Sequence, residues 1–300
     1  DPAIALNQPT GTIVIDSING KKIATGQPVS AYAGKVARVA GHVEGGDNFR
    51  GLVSLQVLDS KQLITCRENA GAQVTDTAFT YYDRLKTVYS GSDSIVNGKF
   101  AVSFVVPYDL NYDSGAGLIS AFAVSDDRSK RAHGYSENLL LGDANSEKTD
   151  TIGPKLFCYL NSPEFSNGGN VNTAPYFVAQ LSDESGINAT GSGVGHNLEL
   201  IIDGEASKTY DLNDNFTYDL GSYTSGSTYY NIPELEPGTH SLLFRAWDGM
   251  NNCSTAQLTF NVVKSLSPTI YSVDVTKNPA STSTTFIVSH SLAGCAVDIT

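Results

Sequence analysis

The residues best suited to chemistry crowd into one stretch of this 300-residue sequence. From Leu181 to Glu205 it reads LSDESGINATGSGVGHNLELIIDGE, which sets Asp183, Glu184, Ser185 and His196 among five glycines. Carboxylates and an imidazole at this spacing suit either a general acid/base loop or a loop that holds a hard cation. Asp150 in DTIG and Asp248 in WDGMNN occupy similar loop positions, so Asp150, Asp183 and Asp248 are the acids whose oxygens could converge on calcium. No D-x-D-x-D-G loop organises them, and aspartates at strand ends commonly cap turns by accepting downstream N–H groups. Asp203, Asp214 and Asp219 fit that turn-forming role better than the paired carboxylates of glycoside hydrolysis. The expectation is that no residue of this chain is catalytic, none binds a cofactor and none is assigned as a metal ligand. Calcium at the three aspartates is the one cofactor the pattern leaves open.

Nucleophilic chemistry has even less support. The cysteines are Cys66, Cys158, Cys253 and Cys295, with no C-x-x-C pair to suggest zinc or a redox centre. Cys66 in LITCRE and Cys158 in KLFCYL sit in apolar, β-prone runs and read as small buried hydrophobes. The histidines are His42, His133, His196, His240 and His290, and AHGY at 132–135 offers a His-Gly pair of the kind some cysteine peptidases use. A thiolate needs an imidazole beside it, however, and every cysteine here falls in what reads as antiparallel β structure or its turns. No G-x-S-x-G, H-E-x-x-H or phosphate-binding glycine loop is present.

The elements that position these residues follow from composition and pattern. Lys plus Arg number 19 against 31 Asp plus Glu, a formal net charge of -12 that repels nucleic-acid phosphates and anionic membrane surfaces. No apolar run is long enough to span a bilayer. Twenty-eight glycines, fifteen tyrosines and a single Met, without helical tracts, place the chain in the all-β class. GLVSLQVLD, NGKFAVSFVVP and GLISAFAVS read as strands of an antiparallel β-sandwich over residues 1–142. Asn-Gly pairs in TGTIVIDSINGKKI and VNGKF predict two hairpins. A polar segment without periodicity, 143–153, is the expected linker. KLFCYL, YFVAQLSD, NLELIIDG, SLLFRAWDG and AQLTFNVV then predict an immunoglobulin-like sandwich over 154–264, with Trp247 on or near its core. Residues 265–300 hold one or two strands, the expected start of a truncated β-domain.

Several segments in this order carry a family resemblance: DPAIAL, NGKFAVSFVVPYDLNYDSGAGLISAFAV, LSDESGINATGSGVGHNLELIIDG, LEPGTHSLLFRAWDGMNN and NPASTSTTFIVSHS. Together they resemble the C-terminal part of the PorU-type sortases of the type IX secretion system, which are gingipain-like cysteine peptidases on the outer-membrane surface of Bacteroidetes. The resemblance implies a cell-surface location and an upstream catalytic domain that carries the family's Cys and His; no position here matches those motifs. It further implies a non-catalytic β-rich scaffold for an enzyme that processes secreted cargo, with NPASTSTTFIVSHS opening a sorting-signal domain that engages an outer-membrane shuttle protein. The alternative reading is a stand-alone surface adhesin or glycan-binding module, which the Ser-, Thr-, Asn- and Tyr-rich composition also suits.

Overall fold

The computed structural model describes residues 9, 11–23, 27–66, 78–108, 115–142, 150–191, 195–266, 270–275 and 284–290. Residues 1–8, the segment 109–114, most of the expected linker (143–149) and Cys295 lie outside the described residues.

The first unit comprises β1 (Gly11–Ile18), β2 (Lys21–Lys22), β3 (Val29–Tyr32), β4 (Val36–Val43), β5 (Gly51–Leu58), β6 (Gln62–Thr65), β7 (Thr80–Asp83), β8 (Thr87–Ile95), β9 (Lys99–Val105), β10 (Ala116–Ser125) and β11 (Arg131–Gly142), with all but the separate β6–β7 pair forming the sandwich. Period-2 alternation decides which face is inside: along β5, Val53, Leu55 and Val57 are buried while Leu52, Ser54 and Gln56 are exposed. The strands run in the order β8-β5-β10-β11-β1-β4-β9. The start of β1 pairs with β11 through Gly11 and Thr12, and the remainder with β4 through Ile13 to Ile18, so this strand passes from one half of the sandwich to the other. Ile18, Leu55, Phe104, Ile119 and Leu139 fill the core between the halves.

Two expectations for this unit change. Its pairing is mixed rather than antiparallel, because β1 and β3 both run parallel to β11. The predicted turn at Asn97-Gly98 exists, with φ of 51° and 72°, but its arms share only the Val96–Lys99 bridge before parting to opposite ends of the strand order. The Asn19-Gly20 turn, at φ 51° and 75°, does join a paired hairpin, β1 to β2.

The second sandwich comprises β12 (Lys155–Leu160), β13 (Asn170–Val171), β14 (Tyr176–Ser182), β15 (Glu199–Ile202), β16 (Thr209–Asp211), β17 (Thr217–Tyr218), β18 (Ser225–Asn231), β19 (Gly238–Trp247) and β20 (Cys253–Val262). A sheet β12-β14-β18-β17 packs against a sheet β13-β20-β19-β15-β16. The Phe177 and Phe244 rings meet across the core at 5.3 Å. On β19 it is Leu242, Phe244 and Ala246 that face inward. Trp247, expected on or near the core, is half-buried on the outer face with Leu243 and Arg245; its ring packs 4.2 Å from that of His196. A separate pair, β21 (Ile270–Val275) and β22 (Phe286–His290), follows.

The sandwiches meet at the end of β9. Tyr108 donates its N–H to Gly249 O at 3.0 Å, and Gly221 donates to Ser92 O at 2.9 Å. A Cβ on Gly186 would lie 2.6 Å from a Val105 methyl and one on Gly249 2.7 Å from the other, so both glycines are what let the second unit approach this closely.

Candidate functional site

The loops that follow β14 and β19 and the segment before β12 bring Asp183, Asp248 and Asp150 together. Each offers one carboxylate oxygen, and the three oxygens lie within 4.8 Å of one another. Each acid also caps its own turn, which is why these residue types sit there. Asp183 Oδ1 accepts the Ser185 N–H at 2.7 Å. Asp248 Oδ1 accepts the N–H groups of Met250 and Asn252 at 2.9 and 2.7 Å, and its Oδ2 accepts from Asn252 Nδ2 at 2.7 Å. Asp150 accepts the Ile152 N–H and the Ser185 hydroxyl. Turn formation and convergence are thus both properties of the same three residues.

Their electrostatics reflect the crowding. Burial pushes the Asp183 carboxyl up to about 6, the Ser185 N–H works against that, and the charges of Asp248, Asp150 and Glu184 add to it. Asp248, fully buried, is also raised, by burial first; its Asn252 and Met250 hydrogen bonds oppose the rise and the Asp150 charge adds to it. Such a cluster can relieve its repulsion in two ways: a proton can sit on one carboxyl, or a hard cation such as calcium can take Asp150, Asp183 and Asp248 as three of its six to eight oxygen ligands. Glu184, Lys155 and Thr224 line a cavity of about 540 Å³ beside the cluster.

The other candidate residues are distributed elsewhere. His196 packs on Trp247 ahead of β15, and Asp203 pairs with His240, so the chemistry-rich loop sends its side chains to three different places. Asp219 accepts the Ser225 hydroxyl, and Asp214 lines a cavity between the sandwiches. Cys66 is exposed at the end of β6 rather than buried, because β6 and β7 form their own two-stranded hairpin outside the core. Cys158 is half-buried, and burial pushes its thiol up to about 12. Cys253 is exposed, its thiol raised by partial burial against the pull of Arg245. At Cys158 and Cys253 burial disfavours the thiolate that a nucleophile requires. His42 lies 2.8 Å from Asp16, and the His133 ring 6.4 Å from that of Tyr135.

The β6–β7 hairpin was invisible as a feature in sequence. Arg84 fixes its base, donating to Asp59 O and Ala116 O at 2.6 Å each and to Glu137 at 2.9 Å. Beyond that anchor Leu63, Phe79, Tyr82 and Leu85 are 55%, 70%, 68% and 60% exposed, so large apolar side chains are concentrated on this hairpin.

The described residues therefore define an all-β protein of two docked sandwiches, whose clustered acids cap turns and whose Cys158 and Cys253 thiols are raised by burial. No protein-family model and no curated protein matches the sequence. Among solved structures the chain is similar to dimeric latent PorU from Porphyromonas gingivalis, at 31% identity and a TM-score of 0.54 over 97% of this chain and 28% of that one. The chain is thus PorU-related and spans 28% of that protein's length. An endo-β-1,4-mannanase from Thermotoga petrophila (TM-score 0.25, 11% identity, 39% of this chain and 21% of that one) and red sea bream transglutaminase (0.26, 12%, 84% and 31%) are too remote to inform function.

Proposed function

We propose that this chain is the non-catalytic accessory region of a cell-surface sortase, a gingipain-like cysteine endopeptidase that processes cargo of the type IX secretion system. The observation that carries the reading is the similarity to PorU over 97% of the chain, while the chain accounts for only 28% of PorU. Three further observations support it. The three described cysteines lie in environments that keep a thiol protonated or leave it on an isolated hairpin. The imidazoles of His42 and His240 are engaged by carboxylates, and those of His133 and His196 pack against aromatic rings. No described helix is long and apolar enough to cross a membrane.

In this role the second, immunoglobulin-like sandwich buttresses the first, and the first carries the catalytic domain of the same polypeptide. The apolar β6–β7 hairpin is the surface on which that domain would dock, and the β21–β22 pair begins a sorting-signal domain for an outer-membrane shuttle. The test is a cleavage assay of the isolated chain on a peptide carrying a type IX sorting signal. No turnover is expected; thiol-dependent cleavage would overturn the assignment. Sequencing upstream of Asp1 is expected to reveal a caspase-like domain with its own His-Gly and Cys, and a signal peptide alone in that position would remove the sortase reading.

A further inference from the structure

We infer that the cleft between the two sandwiches is a binding site for an uncharged saccharide. Cavities of about 240 and 400 Å³ adjoin there, sharing Ser90, Phe216 and Tyr218 in their linings. Together they reach the size range of small-molecule sites, ~300–1,000 Å³. One wall is the outward face of β5 and β8, where Ser54, Gln56 and Ser90 are exposed. The other is the connection into and out of β17, where Asn213, Asp214, Phe216 and Leu220 lie. The Gly221–Ser92 backbone hydrogen bond and the Tyr89–Tyr218 ring contact tie the two walls together at the cleft.

The lining chemistry selects the ligand. Hydroxyls and primary amides dominate, and each can donate and accept. The Phe216 ring and the Leu220 side chain add apolar surface. Among the described residues no Lys, Arg or His lines either cavity and Asp214 adds a carboxylate, so a phosphate, sulfate or carboxylate would meet a like charge and no counter-ion. A wholly apolar ligand would in turn strip water from the serine, threonine and amide groups without replacing their hydrogen bonds. A sugar ring carries hydroxyls around its edge and C–H groups on its face, which answers both demands. The inference stands on the cleft alone and does not depend on the sortase reading.

The experiment is saturation-transfer NMR on the whole chain with glucose, galactose, mannose, N-acetylglucosamine, cellobiose, lactose and mannobiose at millimolar concentration, alongside glucosamine and glucose 6-phosphate. At least one neutral sugar is expected to show transfer. Gln56→Ala removes one exposed amide from the wall and is expected to weaken that binding roughly tenfold, the equivalent of one hydrogen bond. Ser90→Trp fills the space shared by the two cavities and is expected to abolish it, with the unfolding temperature of both variants unchanged. Transfer to none of the neutral sugars, binding that survives both substitutions, or a stronger response to the charged sugars than to their neutral counterparts would each overturn the inference.

Discussion

The ring of Tyr218 in the second sandwich lies 5.1 Å from that of Tyr89 in the first, and the Phe104 ring continues the chain into the first core 5.2 Å beyond Tyr89. Tyr218 also donates its hydroxyl to Ile187 O at 2.6 Å. Burial, then the neighbouring Tyr89, raises the Tyr218 phenol far above its ordinary value, and burial, then Asp93, pushes Tyr89 up to about 12. Both phenols therefore stay neutral, and an aromatic bridge at the edge of the inter-sandwich cavity joins the two cores. Replacing Tyr218 by Ala removes a ring from that bridge and should cost about 3–5 kcal/mol. Tyr218→Phe should cost only about 1–2 kcal/mol, for the lost hydrogen bond to a buried carbonyl. In urea the wild type should unfold in one transition and Tyr218→Ala in two, as the sandwiches lose their coupling. A wild-type profile for the alanine variant would show that the bridge does not couple them.

That bridge could not be read from the sequence, because it depends on how two separate cores dock. What could be read was local. The alternation in GLVSLQVL and the two Asn-Gly turns each depend on neighbours a few residues apart; the strand and both turns form, but only the Asn19-Gly20 turn joins a paired hairpin, since the pairing of the arms at Asn97-Gly98 is set by the distant strands they meet. Trp247 shows the limit: its alternation with Leu243 and Arg245 was legible, but which of the two faces is buried is set by Phe177 on another strand. Strand β18, SGSTYYN, has almost no apolar signature and yet lies between β14 and β17. Its inward positions are Gly226, Thr228 and the partly buried Tyr230, and the Thr228 hydroxyl is satisfied by Leu212 O at 3.2 Å, a partner no local pattern reveals. For the candidate site, residue types suggested the three aspartates, and only the tertiary fold could place their oxygens within 4.8 Å of one another.

Asp203 and His240 provide a second test. Asp203 Oδ2 lies 2.8 Å from His240 Nδ1, and Oδ1 accepts the Ser241 N–H at 3.0 Å. Burial acts to raise the Asp203 carboxyl, but the Ser241 N–H, His240 and Lys208 outweigh it and hold the group below its ordinary value. A depressed carboxyl contributes stability that is present above the unfolded value near 4 and is lost as pH falls through the folded one. Asp203 also adopts φ 55° in its turn, a conformation Asn tolerates better than Ala. Asp203→Asn should therefore cost about 1 kcal/mol at pH 7 and Asp203→Ala about 2 kcal/mol. For Asp203→Asn the difference from wild type should shrink towards pH 3; a constant difference across that range would exclude the charge as its origin.

The thiols differ in a way that peptide mapping can read. Cys66 is exposed on the hairpin, whereas burial pushes the half-buried Cys158 thiol up to about 12. Reactivity follows access and thiolate fraction. Limited iodoacetamide at pH 8 should modify Cys66 first and leave Cys158 unmodified until the protein is unfolded. Modification of Cys158 at a rate near that of Cys66 in the native protein would contradict the packing of β12 against β14.

The acidic cluster predicts a pH dependence of the opposite sign to that of Asp203. Asp183 titrates at about 6 in the folded chain, chiefly because it is buried. Between the unfolded value near 4 and that point the native state binds more protons, so the contribution of Asp183 to stability falls as pH rises and is recovered on acidification. Asp183→Asn keeps an oxygen for the Ser185 N–H and removes the charge. It should stabilise the chain by about 1 kcal/mol at pH 8 once solvent screening is allowed for, which is about 2–4 °C in unfolding temperature, and should have little effect at pH 4. The same series with millimolar calcium separates the two ways the cluster can be relieved. A cation seated on the aspartates would raise the wild-type unfolding temperature at pH 8 and erase the advantage of Asp183→Asn, and titration calorimetry would then show a heat that Asp183→Ala abolishes. Relief by a proton alone leaves the difference between wild type and Asp183→Asn untouched by calcium. A variant less stable than wild type at pH 8 in the absence of calcium would refute the cost of holding Asp183 charged in this buried, acidic setting.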